Sequence, residues 1–129
     1  MNKTFLTTGT VLGGLGVILG AFAAHKLKEI SPDSVATFQT GAQYQMYHAF
    51  ALIFTGILFE KASSSLMSWA GKLFITGIIL FSGSLYALSL LKATGLVGLG
   101  GVGTITPIVG LSFIGGWLFL FLAFLKSKI

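Results

Sequence analysis

Four long apolar stretches, at roughly residues 4–24, 40–59, 70–91 and 107–125, fill most of this chain. Each approaches the ~20 residues that an α-helix needs to cross about 30 Å of hydrocarbon. Most of what remains is short linker. The pattern predicts an all-α membrane protein: four transmembrane helices in one compact bundle, forming a single integral membrane domain over residues 1–129. Composition agrees, with 54% hydrophobic and only 9% charged residues, where a soluble domain carries about 25% charged residues. Lipid tails solvate apolar side chains, so helix association must come from close packing and polar contacts.

The chain holds 18 glycines and no cysteine, which excludes disulfides and thiolate metal sites. Its net charge of +5 comes from lysines placed singly or in pairs at the ends of the apolar stretches. There they set topology and meet anionic headgroups. No basic run tracks phosphates, so nucleic acid is not an expected partner. Met1-Asn2-Lys3 and Ala21-Phe22-Ala23 mimic the ends of a signal peptide, but the apolar run between them is longer than an ordinary h-region. Span 1 is therefore read as retained.

Span 1 carries Gly9, Gly13, Gly16 and Gly20, two small-xxx-small pairs that suit helix packing. After His25, Lys26, Lys28 and Glu29, Ser31-Pro32-Asp33 reads as a helix start: Ser as N-cap, Pro at the first position, an acid in the first turn. A helix from there to Phe59 would run ~42 Å. The second span is thus expected to carry an extended N-terminal part lying in the interface. Trp69 and Lys72 mark the next interface, and Thr106-Pro107 reads as N-cap and first position of span 4. An even number of spans puts both termini on one side, with five lysines against three on the other. This favours cytoplasmic termini.

The richest polar stretch lies on span 2. On a helical wheel, Thr37, Thr40, Gln43, Tyr44, Tyr47 and His48 fall within an arc of roughly 140°. Against lipid tails such groups are costly, so the face should meet the bundle interior, a cavity or a partner. A ligand site or an interhelical polar network would draw on His25, Thr40, Gln43, Tyr44, Tyr47, His48, Ser82, Ser84, Tyr86, Thr106 and Trp117. Mid-span, the indole N–H of Trp117 should find an acceptor, with the span 2 face as one source. His25 and His48 could in principle hold a haem as paired axial ligands, but nothing else supports that, and no cofactor is expected. A zinc site has too few ligands. A serine nucleophile would need an acid within the spans, and there is none, so no catalytic residues are assigned. Gly98 to Gly103 spells G-x-G-x-x-G, yet no strand precedes it and no acid follows about 20 residues later, so a loop is expected.

Four ordered motifs are shared with a known family. They are Gly20-Ala21-Phe22-Ala23-Ala24-His25; Phe38-x-Thr40-Gly41 with Tyr44-Gln45-Met46-Tyr47-His48-Ala49; Leu80-Phe81-Ser82-Gly83-Ser84-Leu85-Tyr86; and Ile105-Thr106-Pro107-Ile108-Val109-Gly110 with Gly116-Trp117. In order and spacing the chain resembles the small bacterial membrane proteins grouped as domain of unknown function 423, whose animal relatives are called transmembrane protein 256. Ala23 stands where that family often has glycine, and the loop before Thr104 is longer and richer in glycine. The resemblance implies a four-helix protein of the bacterial cytoplasmic (inner) membrane and no established activity.

Two functions fit this reading. One is an accessory, scaffold or self-assembling subunit in a homo-oligomer or larger membrane complex. The other is an oligomeric transporter, channel or binder of a small neutral or lipid-like molecule, using the polar-aromatic face of helix 2. An enzyme is the weakest reading, because the spans hold no acids.

Overall fold

The computed structural model describes residues 1–95 and 107–127. Among the described residues the chain is all-helical, with four long helices: α1 (Lys3–Ile30), α2 (Val35–Ile57), α3 (Ser64–Ala93) and α4 (Pro107–Lys126). The N-cap expected at Thr106 and the loop expected at 98–103 lie outside the described residues.

By length and composition, α1, α3 and α4 can each cross a membrane, at 28, 30 and 20 residues. The expectation of four such helices is met by three. At 23 residues α2 is long enough, but Gln39, Gln43, Gln45 and His48 keep its apolar character below that of its neighbours. It is also the helix most enclosed by the others.

Local chemistry sets the helix ends. The Asn2 side chain accepts from the backbone N–H of Phe5 at 3.0 Å and caps α1. Ser31 precedes Pro32, which opens a short 3₁₀ turn (Pro32–Ser34) before α2. Its hydroxyl bonds the Ser34 hydroxyl at 2.8 Å instead of capping a backbone N–H. The helix expected to run from there to Phe59 ends at Ile57 and is followed by a second 3₁₀ turn, Phe59–Lys61. At the end of α3, Gly95 takes a positive φ of 80°, which only glycine adopts without strain, and stops the helix. Two single π-helical turns interrupt the long helices, at Ala23–Leu27 in α1 and Ile78–Ser82 in α3.

Neighbouring helices pack antiparallel, with glycines at the closest approaches. A Cβ on Gly9 would lie 2.7 Å from Ile53, and one on Gly16 2.6 Å from the Met46 sulfur, so these two glycines bring α1 against α2. Gly13 meets only Ala49 at 4.0 Å, and Gly20 has no neighbour within 4 Å. The small-residue seam of α1 therefore has a seven-residue period and leaves Gly20 out. The ring of Phe5 fills the space above Gly71, that of Phe113 the space above Gly77, and that of Phe74 the space above Gly116.

The core has two apolar ends and a polar middle. Ala51, Met67, Ala70, Phe74, Leu120 and Ala123 form one end. Ala23, Leu27 and Phe38 form the other, with Phe38 only 2% exposed and its ring 4.7 Å from that of Tyr86. The N-terminal part of α2 is thus packed between the ends of α1 and α3.

Candidate functional site

Between the two apolar ends, α2 presents Gly41, Gln45 and His48 to the other helices. Gln45 is 3% exposed. Its amide nitrogen donates to the Leu12 carbonyl of α1 at 2.7 Å, and its amide oxygen accepts from the Tyr86 hydroxyl of α3 at 2.6 Å. One side chain thereby ties three helices together. Close by, the Ser82 hydroxyl donates to the Gly41 carbonyl at 2.8 Å. Ser82 closes the π turn of α3, a geometry that redirects a side chain out of the regular helical register.

His48 links α2 to α4. Its Nδ1 lies 2.7 Å from the Tyr44 carbonyl, and its Nε2 lies 3.0 Å from the Trp117 indole nitrogen. A carbonyl can only accept and an indole N–H can only donate. The two partners therefore assign the neutral tautomer, with the proton on Nδ1 and the lone pair on Nε2 facing Trp117. Phe113 stacks on the imidazole at 3.6 Å between centroids, and Tyr44 and Phe74 close around it. With both nitrogens engaged, His48 offers no free lone pair to a metal in this arrangement. No group of three metal-ligating side chains occurs among the described residues. Every buried side-chain nitrogen and oxygen among them has a hydrogen-bond partner. The buried polar groups of the described residues form a closed network.

Of the residues singled out from sequence, the structure brings together His48, Ser82, Tyr86, Trp117 and the backbone and ring of Tyr44. His25 is exposed at the end of α1 and bonds its own helix at the Ala21 carbonyl. Thr40 bonds back to Ala36, and Ser84 to Phe81. Gln43 and Tyr47 point away from the network; Tyr47 is 56% exposed. Together with Gly16, Gly20 and Gln39 they line a lateral groove between α1 and α2, with a volume of about 290 Å³. The polar arc of α2 is therefore split between an inward edge at His48 and an outward edge at Gln43 and Tyr47.

Gln45 is the residue the helical wheel misses. It falls about 60° beyond His48, outside the polar arc and among Ala42, Ala49 and Leu52. The available signal was a single amide within a stripe of small and apolar residues, where a polar group must find an interhelical partner.

Comparison with known proteins places the chain in a family. The family described as Protein of unknown function (DUF423) matches residues 19–110, which include α2, α3 and most of the network. The chain belongs to the DUF423 family. Among its relatives, UPF0382 membrane protein SAB0533 of Staphylococcus aureus is 41% identical over 125 residues, covering 96% of this chain and 97% of the relative. UPF0382 membrane protein YwdK of Bacillus subtilis is 40% identical, covering 96% and 98%. UPF0382 inner membrane protein YgdD of Escherichia coli is 31% identical, covering 98% and 93%. No solved structure matches the chain. DUF423 relatives thus extend across bacteria over nearly the full length of this chain, under names that state a membrane location and no activity.

Proposed function

We propose that this DUF423 protein is a four-span protein of the bacterial cytoplasmic membrane that acts as a non-catalytic accessory or self-assembling subunit of a membrane complex. The observation that carries this reading is the closed interior. Every buried polar side-chain atom among the described residues is satisfied within the chain, so the bundle centre is built as a structural joint. A transport path would instead line a cavity with groups open to solvent or cargo. In this reading α2 crosses the membrane packed against the other three helices, with one face, at Tyr47, Phe50 and Phe54, left open. The Gln45 amide and the His48 imidazole are paired within the bundle, the first turns of α2 lie at headgroup level, and both termini are cytoplasmic. The names of the relatives, one of them an inner membrane protein, support the location.

Gentle extraction at native expression level, followed by native-size analysis and identification of co-purifying molecules, tests the reading. A stoichiometric partner protein or a homo-oligomer is expected. A monomer that co-purifies with nothing would contradict it.

A second reading, a binder of a lipid-like molecule, is favoured by one observation. Three side chains of α2 that stay outside the network, the half-buried Gln39 and the exposed Gln43 and Tyr47, share one groove.

A further inference from the structure

Residues spaced by four form one line along a helix face. On α1 such a line runs Gly16, Gly20, Ala24, Lys28; on α2 it runs Val35, Gln39, Gln43, Tyr47. The helices are antiparallel, so the two lines face each other as the walls of one groove. Two cavities occupy it. The first, of about 290 Å³, is lined by Gly16, Gly20, Gln39, Gln43 and Tyr47, with Ala42 and Met46 beneath. The second, of about 320 Å³, is lined by Ala24, Lys28, Pro32, Val35 and again Gln39. Gln39 lines both, so the two adjoin.

The groove is graded in polarity along its length. At Gly20 it is open, with nothing within 4 Å of that glycine, and toward Gly16 the Met46 side chain gives it an apolar floor. In the middle stand two amides, Gln39 and Gln43, with no hydrogen-bond partner among the described residues. At the far end stands Lys28, the one charged side chain lining either cavity. Its sequence neighbour Glu29 and the nearby Asp33 line neither, and the Asp33 carbonyl takes the Lys92 ammonium at 3.3 Å. The π turn Ala23–Leu27 falls where the second cavity opens. Amides facing hydrocarbon without partners are costly, and an ammonium at headgroup depth attracts a phosphate. An amphiphile that is anionic at one end, ester-polar in the middle and apolar beyond satisfies all three zones.

We propose that the α1–α2 groove binds an anionic phospholipid, with its phosphate at Lys28, its glycerol-ester region at Gln39 and Gln43, and an acyl chain lying over Gly20 and Gly16. This rests on the second reading above and is independent of whether the protein assembles with others.

The test uses the full chain in mild detergent, given equal phosphatidylglycerol and phosphatidylethanolamine, with retained lipid read by native mass spectrometry. The wild type should retain phosphatidylglycerol preferentially. Lys28→Gln should weaken that retention about fivefold, and Lys26→Gln, which removes a charge at the same level outside the groove, should not. Gly20→Leu fills open space, so the fold should tolerate it, and it should abolish retention of both lipids. Equal retention of both lipids, unaffected by Lys28→Gln, would overturn the headgroup assignment while leaving a lipid-like ligand standing. No retention of either lipid would overturn the proposal and the reading beneath it. A lipid-free dimer dissociated by Gly20→Leu would overturn it in favour of a second copy of the chain in the groove.

Discussion

Trp117 on α4 donates its indole N–H to Nε2 of His48 on α2 at 3.0 Å, and that bond, with the Tyr44 carbonyl on the other nitrogen, fixes the imidazole as a neutral Nδ1–H tautomer. Nitrogen NMR of labelled protein should show Nδ1 protonated and Nε2 bare. The reverse assignment would break the described geometry.

Breaking that bond should cost a measurable fraction of stability. Trp117→Phe keeps a ring against Phe74, 5.2 Å away between centroids, but removes the donor. Interhelical hydrogen bonds in membranes contribute roughly 0.6 kcal/mol and at most about 1.7. A double-mutant cycle with His48→Leu, read by unfolding in detergent, should return a coupling in that range. Additive effects would mean the two side chains do not interact.

Gln45 ties together two more helices, so its loss should exceed that of either partner. Gln45→Leu removes the bonds to Leu12 and Tyr86 together, whereas Tyr86→Phe removes only the second. At about 0.6–1.7 kcal/mol per bond, Gln45→Leu should lower the melting temperature roughly twice as far. Equal shifts would indicate that the Leu12 bond contributes nothing.

Glycine positions should separate sharply. A methyl at Gly71 would overlap the Phe5 ring, and one at Gly77 the Phe113 ring. Overpacking of this kind costs typically about 1–3 kcal/mol. Gly14, Gly20 and Gly83 have nothing within 4 Å, so alanine there should be neutral or stabilising. Melting curves of the five alanine variants check the order, and a destabilised Gly20→Ala would contradict the packing.

The turn after α2 carries a pH-dependent contact. The Met1 ammonium, 2.9 Å from Glu60, holds that carboxyl below its ordinary range. A carboxylate depressed in the folded state contributes stability above its unfolded pKa and loses it as pH falls through the folded value. Both groups are exposed, so the effect is small. The melting difference between wild type and Glu60→Gln should shrink toward acid. A difference that grows toward acid would contradict the contact.

Much of this architecture is legible in the sequence because lipid imposes it. Long apolar runs bounded by lysines mark α1, α3 and α4, and a mid-span indole demands an acceptor, which His48 supplies. The hydrophobic pattern is less informative about α2, whose polar residues are paired by neighbours that only the fold brings near. The wheel groups Tyr47 with His48 by angle alone. It cannot tell that α4 stands on one edge of that arc and a groove beside α1 on the other. The π turns leave no periodic signal, since a helix apolar nearly all round shows no visible change of phase when one added residue shifts the register by about 100°. Gly20 looks like Gly16 in sequence and differs only in facing an open groove where Gly16 meets the Met46 side chain.

The central claim is that α2 crosses the membrane although its composition is the least apolar of the four helices. The chain has no cysteine, so single cysteines at Asp33, Ser63 and Ser127 can be probed with a membrane-impermeant thiol reagent on intact cells and on inverted vesicles. The account predicts labelling of Asp33→Cys from one side, and of Ser63→Cys and Ser127→Cys from the other. Labelling of Asp33→Cys and Ser63→Cys from the same side would mean that α2 does not span, and would contradict the four-span bundle.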